Sequence, residues 1–443
     1  MKFKHVLTIV TVLLISSLLT ACAIKVPKGK AIPVDPDGKI ERAPIYEHGQ
    51  WTIARASLHN HTVYSDGKHT PEDLLELARL QGMAVLAYTD HREDRLCIGR
   101  TLCAKAGGVE AVGYDAYYEK LREMQEKADE YGMIATKGIE VSSPYIYNAG
   151  KWPNYVITGQ FRHFTVYSVE DTEIFKNMPT KEVMKVRPEP DPGDRPYQEF
   201  VSYLDSKGGI VHSVHPESPQ DEWVLGIHVY TPPPVRNVLL KDLTGFAIIP
   251  EGNQVAGAVG GLWDTALIEY MAGMRDRPLW ASGDADYHGP PSSLAAATTL
   301  LYMKEFTEEE VYRCMKEGRM VALQGSAFQD SYVAEWWVSD SNSPEDAVML
   351  GEEITINSAP VIKFSLDGPV AGCRIKLIRN GVLIAEENGT EIKHVDKEWN
   401  AEKGPAYYRV ELVGPVEPGV EYKPYVNPSN VLFVNPIFVR FGS

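Results

Sequence analysis

The sequence predicts an α/β barrel followed by a small β-sandwich-like domain, on three observations. Between residues 51 and 327 one unit recurs: an amphipathic helix ends at Gly, a short apolar strand follows, and a residue of metal-ligand or catalytic type closes the strand. That order is expected where parallel strands deliver chemistry to their carboxyl ends. From 328 to 443 the chain turns to short β-type runs, with Asn380-Gly381 as a hairpin signal between two of them. No Gly-rich phosphate loop follows the first strand, which argues against a doubly wound open sheet.

The 443 residues exceed what one core usually holds, so two or three domains are expected. A net charge of -16 opposes sequence-independent binding to nucleic acid, since no basic excess exists to release counterions. Met1-Lys2-Phe3-Lys4, the apolar run from Val6 to Leu14 and Leu19-Thr20-Ala21-Cys22 read as a secretory signal peptide over residues 1–21. The apolar run is shorter than the ~20 residues that span a bilayer. Leu-Thr-Ala-Cys resembles the bacterial lipobox, which implies lipidation at Cys22, attachment to a membrane and a place in the cell envelope, on its periplasmic or extracellular face. Residues 22–50, rich in Pro, Gly and Lys, read as a tether. Cys97 and Cys103 bracket five residues, either as a disulfide or as two free thiols, and no Cys-x-x-Cys suggests a thiolate zinc site.

The first unit has Thr70 as N-cap, Pro71 at the first helical position and Glu72 and Asp73 at the positive helix end. Leu74, Leu77, Ala78 and Gln81 share a face, Gly82 stops the helix, and the strand Met83–Tyr88 runs into Thr89-Asp90-His91. A charged helix from Tyr114 to Tyr131 then leads through Gly132 and a strand to Glu140. A strand-like run from Phe161 to Val169 carries His163 near its start. The helix 197–207 and Gly208-Gly209 precede Ile210–Val214 and His215-Pro216. The helix 263–275 precedes Pro278–Ala281 and Ser282-Gly283-Asp284-Ala285-Asp286-Tyr287-His288, and a last helix spans 307–317. The β region is expected to be a structural appendage, with carbohydrate or partner binding as the alternative.

His59-x-His61 places two imidazoles on one side of an extended segment, and Asp66 follows in a Ser-Asp-Gly turn. Two imidazoles and a carboxylate begin a divalent-metal site suited to Zn, Mn or Fe, although the pair alone is often an accident of strand polarity. With His91, Glu140, His163, His215, Asp286 and His288 the set has nine members. In order along residues 56–325 they resemble the ligands of the PHP (polymerase and histidinol phosphatase) superfamily: H-x-H-T-x-x-S-D-G, T-D-H, G-x-E, a lone His, H-P and D-x-H.

The resemblance implies a distorted (β/α)7 barrel holding two or three divalent ions (Mn, Fe or Zn), with Glu140 bridging two of them. It implies catalytic roles for Asp66, His91, Glu140 and His288, and hydrolysis of a small, anionic ester by metal-activated water. A phosphoesterase is favoured; a carbamate, ester or amide hydrolase and a non-catalytic metal-binding surface protein are the alternatives. Asp284 and His212 compete with Asp286 and His215 but lack the family spacing. Asp90 is expected to orient a ligand, and His48, His69, His228 and His394 to be surface or loop histidines. Arg92, Arg95 and Arg100 either clamp an anionic substrate or are solvated loop charges, and the Pro-rich stretch 187–192 forms either a rim or a surface loop. Gly325-Ser326 lacks the nucleophile elbow of a Ser-His-Asp hydrolase.

Overall fold

The computed structural model describes residues 39–416 and 430–442, apart from 41, 94, 100, 101, 106, 143, 152, 225 and 369. The expected leader, Cys22 and the greater part of the tether lie outside the described residues. The fold is mixed α/β. Seven strands neighbour one another in chain order: β1 (Trp51–Ser57), β2 (Val85–Tyr88), β3 (Ile134–Val141), β4 (Phe164–Tyr167), β5 (Ile210–Ser213), β6 (Gly245–Ile249) and β7 (Trp280–Gly283). Strands β2 to β7 are buried along their whole length, as Val-, Ile-, Leu- and Ala-rich runs covered on both faces should be.

The expected distorted (β/α)7 barrel is not confirmed, because the strands are not parallel throughout. β1, β2 and β3 run parallel, as do β5, β6 and β7, but β4 is antiparallel to both β3 and β5. The free side of β1 pairs antiparallel with β8 (Ala297–Met303), which pairs with β9 (Met320–Gln324). β7 reaches this far edge through a side chain: Gly283 N donates to Thr299 Oγ1 (2.9 Å), and the same hydroxyl donates to Gly283 O (3.0 Å). A Cβ at Gly283 would lie 2.5 Å from Thr298 O, so only glycine permits the approach.

Helix α1 (Pro71–Leu80) starts as its sequence requires, with Thr70 Oγ1 accepting from Asp73 N, and buries Leu74, Leu75, Leu77 and Ala78. α2 (Tyr114–Glu130) buries Tyr117, Tyr118, Leu121, Met124 and Ala128 against the sheet. α3 (Arg195–Asp205) begins two residues before the expected start, with Pro196 in its first turn. α4 (Leu262–Met271) ends short of Arg275 because Gly273 turns left-handed (φ 71°). The Arg275 guanidinium instead donates to Leu239 O and Leu240 O (2.9 and 3.0 Å). α5 (Glu308–Glu317) is capped by Thr307 and ends at Gly318. Cys97 and Cys103 face each other across the hairpin of strands Arg95–Ile98 and Leu102–Lys105 and form a disulfide.

The C-terminal region is largely β, and it grows from the first sheet rather than standing beside it. β9 pairs with β11 (Val431–Phe441), which pairs with β10 (Ala406–Val413), so one sheet runs across residue 327. A second sheet, from strands Tyr332–Asp340, Ser343–Met349, Pro360–Asp367 and Glu391–Val395, packs on it. Their shared core mixes Trp336, Ile362, Phe364 and Leu412 with Trp51, Ile53, Tyr302 and Leu323.

Two buried polar clasps fasten β10 and β11 to the first half. Arg409 donates two hydrogen bonds to Asp264 on α4 (both 2.7 Å), Tyr407 OH adds a third (2.7 Å), and both charged groups are sealed from water. Asn435 accepts from Ala281 N (2.8 Å) and donates to Ala281 O (3.0 Å) and Met320 O (2.9 Å), so its amide stands in for a missing strand neighbour of β7. Removing one member of a buried pair strands the other charge. Asp264→Ala or Arg409→Met is therefore expected to cost roughly 3–5 kcal/mol in denaturant unfolding, while Asp264→Leu combined with Arg409→Met recovers most of it. A single substitution costing no more than an average surface change would contradict this account.

Candidate metal centre

The segment after β1 is stitched to the segment after β7. His61 N donates to Tyr287 O (2.9 Å) and Tyr287 N to His59 O (3.2 Å), so His59 and His61 alternate along one edge opposite Asp286 and His288. Asn60 points the other way and ties its amide to Ala87 O (2.9 Å) and Ser57 O (3.1 Å). Asp90 accepts from Thr62 N (2.7 Å), Thr62 Oγ1 (2.8 Å) and Ser65 Oγ (2.6 Å), fixing the loop that carries Asp66. Its expected orienting role thus acts on this loop. His215 (φ 32°) and Asp286 (φ 47°) have left-handed backbones at two turns that aim ligand atoms inward.

Glu140, at the mouth end of β3, is fully buried at the centre. Its Oε2 lies 3.3 Å from His59 Nε2, 3.3 Å from His61 Nε2 and 2.8 Å from His91 Nδ1. Its Oε1 lies 2.7 Å from His163 Nδ1 and 3.5 Å from His215 Nε2. Asp286 Oδ1 is 3.3 Å from His59 Nε2 and 3.2 Å from His61 Nε2, and those two ring nitrogens are 3.1 Å apart. At the lip, Asp66 Oδ1 is 3.2 Å from His288 Nε2 and 3.7 Å from His61 Nδ1, and Asp66 Oδ2 is 3.6 Å from His91 Nε2. Eight of the nine residues thus meet in overlapping groups around His61, His91 and Glu140, and His215 joins them through Glu140 Oε1.

The donor set fits divalent cations. Separations of 3.1–3.3 Å among His59, His61, Glu140 and Asp286 match the edge of about 3.3 Å of a tetrahedron with ligands about 2.0 Å from its centre. Glu140 Oε2 and Asp286 Oδ1 are buried and accept no hydrogen bond, at a cost of about 1–3 kcal/mol for each unsatisfied acceptor. The electrostatics point the same way. Burial opposes charging of His91 and His288, yet Glu140 and Asp66 outweigh it and push the rings up to about 10 and about 9. Glu140 and Asp286 are held well below the usual carboxylate range, against burial, by the histidines around them. The cluster calls for positive charge, and cations can replace those protons.

The competing and secondary residues fall elsewhere. Asp284 is buried outside the ligand groups, both its oxygens lack donors, and burial pushes its carboxyl up to about 6. Arg92 is buried and committed to Glu182, Glu93 and Glu110, so the clamp suggested for it is corrected to a structural ion network. Arg95 is exposed on the disulfide hairpin, and Arg100 lies outside the described residues. His69, expected to be a surface or loop histidine, lies in a loop but is buried, with its Nε2 3.0 Å from Tyr287 OH. Ser142 Oγ, 2.7 Å from His91 Nδ1, and Glu217, whose carboxylate takes Gln254, Val255 and Ala256 N–H groups, were not anticipated. Only the Glu next to His215-Pro216 offered a signal.

Residues 57–177 match the PHP domain family, a span that holds His59, His61, Asp66, His91, Glu140 and His163. Among solved structures the chain is similar to a two-domain protein of Bacteroides vulgatus described as containing a predicted PHP-like metal-dependent phosphoesterase (11% identity, 91% of this chain and 99% of that one, TM-score 0.41). It is also similar to a provisionally assigned metal-dependent phosphoesterase of Bifidobacterium adolescentis (17%, 54% and 90%, TM-score 0.29). A third is an amidohydrolase of Chromobacterium violaceum with bound sulfate and no metal (16%, 60% and 97%, TM-score 0.29). No curated protein matches the chain.

Two measurements follow. Elemental analysis after loading with Zn or Mn is expected to find more than one equivalent of metal per chain, and fewer in Glu140→Gln; equal contents would remove Glu140 from the centre. His212, inside β5 beneath the site, is kept neutral by burial, which pushes its ring down to about 3. The unfolded chain binds that proton below about pH 6.5, so the stability His212 confers is whole above that value and lost as pH falls toward 3. Wild type is expected to lose about 1.4 kcal/mol more per pH unit below 6.5 than His212→Asn; parallel curves would refute it.

Proposed function

We propose that this chain is a metal-dependent hydrolase that cleaves phosphoric esters with activated water. The observation that carries the reading is Glu140: one buried carboxylate whose two oxygens face separate sets of imidazoles, as a group shared between two cations would. His59, His61, Glu140 and Asp286 would hold one cation; His91 and His163 share Glu140 beside it, and Asp66, His91 and His288 frame the lip. Bound divalent cations supply a water of lowered pKa and positive charge for the phosphoryl oxygens.

The protein's own part is placement and charge. Three carboxylates, Asp66, Glu140 and Asp286, leave a net positive centre once two or three divalent ions are held by otherwise neutral imidazoles. A phosphate ester gains most from that field, which favours it over a neutral carbamate or amide. His288 and Asp66, hydrogen-bonding partners at 3.2 Å, are the half-exposed members at the mouth and can hold a proton where a leaving alcohol departs. The backbone stitch through Tyr287 fixes His59 and His61 before substrate arrives. The leader and Cys22 support a lipid-tethered place in the cell envelope, and the sheet and core shared with the first half of the chain support a structural role for the β region.

The test is turnover of a phosphomonoester, a phosphodiester and a carboxyl ester by metal-loaded and chelated protein, with His61→Ala beside wild type. Metal-dependent phosphoester cleavage that falls more than about 100-fold in His61→Ala is expected. Faster carboxyl-ester cleavage would move the assignment to the carbamate and ester readings. Bound metal without metal-dependent turnover would make the chain a binding protein.

A further inference from the structure

The chain leaves the seven-strand sheet twice beside the candidate metal centre. One excursion, between β3 and β4, returns directly into His163, and another, between β5 and β6, departs from His215. They pair into one four-stranded sheet of Tyr147–Asn148, Val156–Thr158, Ile227–Thr231 and Gln220–Val224. Thr231 Oγ1 accepts from Gly159 N (3.2 Å) and Phe161 N (3.3 Å), and the Phe161 ring packs on His163 and His215 (4.6 and 4.7 Å between centroids). The sheet is thereby anchored to two candidate ligands.

At its foot is a cavity of ≈ 180 Å³ lined by Tyr147, Arg162, Asp191, Asp194, Tyr197 and Arg236, among others, far above the ~10–15 Å³ that holds one water. Arg162 and Arg236 both pair with Asp194 (3.0 and 3.2 Å), and Asp191 accepts from Gly193 N (2.8 Å). An anion entering this cavity meets two carboxylates, and a cation meets two guanidinium groups. A neutral polyol can use both, because every hydroxyl donates and accepts. A nucleobase finds one face of Tyr197 already covered by the Arg162 guanidinium, 3.9 Å from the ring centroid.

Strand register puts Tyr147, Thr158, His228 and Trp223 on the face opposite the small core of Ile146, Ile157 and Val229. Trp223 is 68% exposed and lies parallel to His228 (4.8 Å, 5°), with the exposed Tyr230 beside them. Exposed aromatic rows of this kind mark binding surfaces. The negative face of an aromatic ring attracts the partly positive C–H face of a sugar.

We propose that this cavity binds a neutral sugar ring and that the Trp223–His228 row carries the following rings of an oligosaccharide. The idea rests on the hydrolase reading only in making that sugar the alcohol part of the ester, and equilibrium binding tests it without turnover. Calorimetry on the metal-loaded full chain would use methyl glucoside, methyl galactoside, methyl mannoside and their trisaccharides, with adenosine and inorganic phosphate as comparators. At least one glycoside is expected to bind, with its trisaccharide about tenfold tighter. Asp191→Asn with Arg236→Gln should weaken the monosaccharide about tenfold, and Trp223→Ala should abolish only the trisaccharide's gain, at unchanged metal content. Binding of no sugar, sugar binding indifferent to these substitutions, or adenosine or phosphate preferred and sensitive to them would overturn the proposal.

Discussion

A carboxylate sealed from water in contact with five imidazoles is the constraint on which the rest of this structure depends. Among the described residues Glu140 has no lysine or arginine to balance it; its neighbours are ring nitrogens 2.7–3.5 Å away. A buried charge costs several kcal/mol unless a partner of opposite sign is supplied. The fold supplies a shell of donors arranged for cations, and it does so by bringing the mouth ends of β1, β2, β3, β4, β5 and β7 to one point. Strands covered on both faces give each donor a rigid base, because Val-, Ile- and Leu-rich runs leave little room for the backbone to shift.

Much of that shell was legible because its signals are local. Thr70 and Pro71 start α1, Gly82 ends it, and the strand that follows can only run toward Asp90 and His91. The spacing of His59 and His61 fixes their common side, and Asp286 rather than Asp284 reaches them. Strand direction was not legible. His163 lies at the start of its strand, whereas His91, Glu140 and His215 lie at or just beyond the end of theirs, and periodicity of two reads the same in either direction. Only the antiparallel setting of β4 explains how His163 reaches the same mouth.

The features that escaped the sequence are those whose partners lie far along the chain. Arg409 and Asp264 are 145 positions apart and Asn435 and Ala281 are 154 apart; neither half carries a motif that announces the other. His69 looked like a loop residue because nothing nearby reveals that Tyr287 will cover it. The β region looked separable because its texture changes at residue 328, yet texture records secondary structure and not which sheet a strand joins. Val431–Phe441 lies between β9 and β10 and makes the two halves one sheet.

That union bears on the metal centre itself. β7 ends in the segment that presents Asp286 and His288, and it has no strand ladder on its outer side among the described residues. What holds it there is Thr299 at Gly283 and the Asn435 amide at Ala281. Donors of a metal site must be kept within about 0.5 Å of their working positions, and an edge strand with unpaired backbone groups would not keep them so. The C-terminal strands therefore serve the centre from outside the span that matches the PHP domain: Asn435 pins β7, and Arg409 pins the helix α4 that leads into it. The β region is on this account a buttress of the site, and its loss would loosen Asp286 against His59 and His61 before it touched any ligand directly.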